Sequence, residues 1–169
     1  PAHFLTYRPG TDAVDYLVAY QLGCLIRIFS CPKDQRFEMG ATKAEADQGV
    51  QLMGLGDFES SFASQMAGNI MIQLRTMPVG FRIDDWIWSD FPKLRDQQRI
   101  AILRQLQENN SSLSPETRSK FPKPLITANA TMNAAFAAVW AEKFAEKRLF
   151  LPFRMAGYEP KAQALLGAL

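Results

Sequence analysis

The sequence predicts a mostly helical α+β domain, and three observations carry that prediction. Apolar residues recur at helical spacing over long stretches, as in Phe58, Phe62, Met66, Ile70 and Leu74. Strand-like runs are few and short, at residues 2–7 and around Arg36–Met39. Proline and glycine punctuate the chain between the periodic stretches. The 169 residues, 47% of them hydrophobic and 12 of them Phe, suffice for one packed domain over residues 1–169.

In order, the strand at 2–7 ends at Pro9-Gly10, and Thr11 and Asp12 offer N-caps for a first helix. Along that helix Val14, Leu17, Val18, Leu25, Ile28 and Phe29 form one apolar stripe, with polar Gln21 in its middle. Cys31-Pro32 stops it, because a proline disfavours helical geometry in the residue before it. Residues 33–42 form an excursion. Helices are expected over 43–54 and 57–77, the second stopping before Pro78, and again over 81–90. Pro92 suits the start of a helix that runs to Asn109. Asn109–Pro124 reads as a polar, mobile loop, since it holds three prolines and five serines or threonines. An alanine-rich helix covers 127–147, with Met132, Phe136, Val139 or Trp140, and Phe144 as core residues. Pro160 opens a short last helix.

Charge and composition remove several classes of function. With 19 basic and 17 acidic residues the net charge is +2, so no strong nucleic-acid signal exists. Arg95, Arg99 and Arg104, with Lys93, alternate with Asp96 and Glu108, as on a solvated face. No stretch reaches the length of a membrane span, so no membrane partner is expected. Cys24 and Cys31 are separated by about 10 Å of helical rise, too far to bridge, which predicts two free thiols and a reducing, cytoplasmic setting. His3 is the only imidazole, so no site with two His ligands can be built from one chain. The chain begins at Pro1 without Met, which is compatible with a piece of a longer protein.

The run Tyr20-Gln21-Leu22-Gly23-Cys24 resembles the H-E-x-x-H zinc helix of zincin-like metallopeptidases, with Tyr20, Gln21 and Cys24 in the His, Glu and His positions. In such helices the two His bind zinc and the Glu is the general base. A later helix supplies a third ligand, and Asp84 is the matching position here, with Asp85, Trp86 and His3 as possible neighbours. The resemblance implies a zincin-like fold with a small strand element, and a vestigial site at Tyr20, Gln21, Cys24 and Asp84. It also implies that no metal or cofactor is held and that no residue is catalytic, because the ligands and the base are missing. Gln21 is then expected to hydrogen-bond across the former metal site.

The functional expectation is an inactive metallopeptidase-like domain that binds a protein or peptide partner. Two alternatives stand beside it. One is an enzyme of altered chemistry, with an atypical metal at Cys24, Asp84 and His3 or with Cys24 as nucleophile. The other is a helical interaction module unrelated to peptidases. Plain structural readings are also open: an ordinary amphipathic helix at Tyr20–Cys24, dipole-favoured first-turn acids at Asp84 and Asp85, and packing anchors at Trp86 and Trp88.

Overall fold

A computed structural model describes Thr6, residues 10–36 and residues 40–169, with Gln35 described in its backbone alone. Eight α-helices cover most of these residues: α1 Val14–Phe29, α2 Lys43–Leu52, α3 Ser60–Asp90, α4 Arg95–Asn110, α5 Pro115–Lys120, α6 Lys123–Lys143, α7 Leu151–Met155 and α8 Glu159–Ala168. No strand occurs among the described residues. The fold is therefore all-helical, and the expected α+β, zincin-type architecture is wrong. The expected strands at 2–7 and 36–39 lie largely outside the described residues, as does His3.

The described residues form two compact units. Residues of 1–39 and 75–104 make the first, and residues 40–74 and 105–169 make the second.

In the first unit, α1 starts without the caps expected from Thr11 and Asp12. Ala13 takes a left-handed conformation (φ 60°) between those side chains and the helix. The cap comes instead from α4, where Gln97 Oε1 accepts from the Asp15 and Tyr16 amides at 3.0 and 3.3 Å. Gln97 Nε2 in turn donates to Asp15 Oδ2 at 2.9 Å. This side-chain amide meets helix-end amides that have no partner within α1. Asp12 pairs with Arg104. The core of this unit is Tyr16, Ile83, Ile87 and Ile102, with Asp84 and Gln98 buried among them.

The second unit has a conventional start. Thr42 and Glu45 form a reciprocal capping box at the head of α2. Leu55, Ala63, Ala67 and Leu125 form a core, flanked by Phe58, Met66, Ile70 and Phe121. Of the expected stripe, Phe58, Met66 and Ile70 are half-buried against this core, while Phe62 and Leu74 are exposed. Helix α6 packs against α8 and α7. Its alanines Ala130, Ala134, Ala135 and Ala137 are buried, along with Met132 and Trp140.

Two further corrections concern boundaries. Helix α3 does not stop before Pro78; it runs through to Asp90. A proline there removes one hydrogen bond, to the Leu74 carbonyl, at a cost of about 3 kcal/mol. Residue Leu74 is exposed, so water can satisfy that carbonyl. The supposed loop 109–124 contains α5, which Ser114 caps by accepting from the Thr117 amide at 3.1 Å.

Candidate functional site

The residues singled out from the zinc-helix resemblance fall into two groups on α1. Tyr20, Gly23 and Cys24 face α3, whereas Gln21 is exposed. The expected hydrogen bond of Gln21 across a former metal site is therefore not formed. The reason lies in helix geometry. Tyr16, Tyr20 and Gly23 recur at one-turn spacing and make the contact face, and Gln21 sits well over 90° away around the axis.

Two glycines set how close α1 comes to α3. A Cβ on Gly23 would lie 2.7 Å from Ile83 Cγ2 and 3.5 Å from Trp86 Cζ3. A Cβ on Gly80 would lie 2.8 Å from the Tyr20 hydroxyl. The expectation that Gly23 marks close packing holds, and Trp86 is part of what it packs against. Trp86 also meets Phe91 edge to face, with ring centroids 5.0 Å apart.

Beneath this contact lies a buried polar cluster. The Tyr16 hydroxyl donates to Asp84 Oδ1 at 2.7 Å. Gln98 Nε2 donates to the Asp84 carbonyl at 2.9 Å and to Oδ1 at 3.2 Å. Gln98 is 0% exposed, and its Oε1 has no hydrogen-bond partner. Tyr20 and Cys24 stand near the same carboxylate. Burial pushes the Tyr16 and Tyr20 hydroxyls far above the ordinary tyrosine range, and the charge of Asp84 adds to the effect. Burial and then Asp84 push the Cys24 thiol up as well. Asp85, next in sequence, is exposed.

The structure thus brings Tyr20, Cys24 and Asp84 together and leaves Gln21 and Asp85 outside. Without a metal, burial and the Asp84 charge hold the Tyr20 phenol and the Cys24 thiol in their protonated forms, and the Asp84 oxygen nearest Tyr16 already accepts two hydrogen bonds. Among the described residues no group of three or more His, Cys, Asp or Glu converges. Cys24 and Cys31 are free thiols, half-buried and exposed respectively.

Sequence reasoning missed Tyr16 and Gln98. Gln98 had a readable signal, since Gln98, Ile102 and Leu106 recur every four residues along α4 and share one buried line. A neutral amide on such a line needs a buried partner. The larger omission is the other side of α1. Of the stripe expected to be core, Leu17 and Phe29 are 38% and 45% exposed and Val14, Val18, Leu25 and Ile28 are half-buried; outside that stripe, Leu22 and Ile26 are 46% and 56% exposed. Arg36 lies over the Phe29 ring, 4.8 Å from its centroid. No helix of the described residues is long and apolar enough to cross a membrane. Comparison with family models, with curated proteins and with solved structures yields no match to this chain.

Proposed function

We propose that the chain is a helical interaction module that holds a protein or peptide partner on the outward side of α1. The observation that carries this reading is the exposure of Leu22, Ile26 and Phe29, three large apolar side chains one turn apart on one helix. Such a ridge has a hydration cost in isolation, and contiguous exposed apolar surface with polar surroundings marks interaction sites. Helix-in-groove recognition uses anchors at this i, i+4, i+7 spacing.

The buried cluster supports the same reading from the other direction. Tyr16 and Gln98 both donate to Asp84, joining three helices, so they crosslink the unit. A thiol raised by burial is mostly protonated at neutral pH, which weighs against Cys24 as a nucleophile.

The test is a photo-crosslinking amino acid placed at Leu22, compared with one at Ile100. Ile100 is 50% exposed, similar to the ridge, but stands alone on α4. Discrete, saturable adducts from position 22 and none from position 100 are expected. Equal labelling from both positions would remove the α1 face as a binding surface.

A further inference from the structure

We infer that the partner on the α1 ridge is a second copy of this chain, paired with its α1 antiparallel about Leu22. This rests on the reading of that ridge as a binding face. Asp15, Ala19, Leu22, Ile26 and Phe29 are spaced four, three, four and three residues apart. That alternation averages 3.5 and keeps all five on one side of the helix, as along a coiled-coil seam. The seam spans about 21 Å.

Its contents are self-complementary in one orientation. An antiparallel copy places Leu22 against Leu22 at the two-fold axis. It places the large, exposed Ile26 against the small, half-buried Ala19. It places Asp15 at one end against Phe29 and Arg36 at the other. The charge segregation supports this. Asp15 is exposed and engages Gln97 through Oδ2, while the opposite end carries Arg36 on Phe29 and the exposed Lys33 and Asp34, and so is basic by one charge. Acid therefore meets cation at both ends of the pair. A partner segment of one sign would meet like charge at one end, and a parallel copy would do so at both. The antiparallel arrangement also pairs the helix dipoles favourably.

A seam of this length is smaller than a standard interface of about 800 Å² per partner. The pair is accordingly in reversible exchange, weak enough to depend on protein concentration.

The experiment is cysteine trapping together with sedimentation. In a Cys24→Ala, Cys31→Ala background, Leu22→Cys is expected to give a disulfide-linked pair under mild oxidation. Leu17→Cys, on a different side of α1, is expected to stay a single chain. Circular dichroism confirms that both variants are folded. In sedimentation equilibrium on the unmodified protein, Asp15→Arg and Arg36→Asp should each weaken the pair about fivefold or more, and the two together should restore most of it. Equal trapping from position 17, a double reversal no better than either single one, or sedimentation as single chains up to millimolar concentration would overturn self-pairing. In the last case, photo-adducts from position 22 to a different protein would leave the broader interaction reading standing. Their absence would remove that reading too.

Discussion

Tyr16 donates its hydroxyl to a carboxylate that is almost entirely out of water, and Gln98 donates to the same oxygen. Leaving a buried polar group unpaired costs roughly 1–3 kcal/mol, so Tyr16→Phe and Gln98→Leu should each lower stability by about that amount. Urea unfolding at neutral pH checks both, and an unchanged midpoint would mean that water already serves Asp84. The same geometry sets an alkaline limit. The Tyr16 and Tyr20 hydroxyls are held above their ordinary value of 10.0 in the folded state, by burial first and by Asp84 second. Below that value the unfolded and folded forms are both neutral, and the tyrosine contribution to stability is fully present. As pH rises beyond it the unfolded chain releases protons that the folded chain keeps, and stability falls by up to about 1.4 kcal/mol per pH unit for each tyrosine. Unfolding midpoints should drop as pH rises from about 10 to 12, and less steeply in Tyr16→Phe. A flat profile would contradict the burial of these hydroxyls.

At the scale of the element, the crossing of α1 on α3 depends on two missing side chains. Gly23→Ala sets a methyl 2.7 Å from a branched isoleucine, which cannot swing aside. Gly80→Ala meets the far end of Tyr20, which can. Overpacking of the first kind costs about 1–3 kcal/mol, so Gly23→Ala should shift the thermal midpoint down clearly more than Gly80→Ala. The reverse order would place the contact elsewhere. Here the sequence was readable only in part. A glycine inside a helix announced close packing, and Gly23 provides it. The buried face of α1 was misread because it is made of Tyr16, Tyr20, Gly23 and Cys24. The residues usually counted as core, Leu17, Leu22, Ile26 and Phe29, point outward. Periodicity finds an apolar face but does not say whether this chain or another covers it. The break expected at Pro78 failed because packing along α3 outweighs one lost hydrogen bond.

For the whole molecule, helices over 43–54, 92–109 and 127–147 were legible in outline from prolines and apolar spacing, but the last lies four residues earlier, at Lys123–Lys143, because Pro124 sits in its first turn and does not precede it. The α+β class was not legible. It rested on short N-terminal runs and on the zinc-helix resemblance, and five residues of helix carry too little information to fix a fold. The donor arrangement around Asp84 leads to a further expectation. Added zinc should leave the thermal midpoint within error of the zinc-free protein, since a ligand that bound only the folded chain would raise it. A rise of several degrees with one equivalent would show a site at or near Cys24.

The working surface proposed for this protein is the ridge Leu22, Ile26 and Phe29, and a charge placed in its middle tests that most directly. A chain carrying the photo-crosslinker at Leu22 is irradiated with and without Ile26→Asp in the same chain, circular dichroism showing both to be folded. The adduct should form from the first and be lost from the second. If both chains give the adduct equally, the ridge is not the surface through which this protein acts.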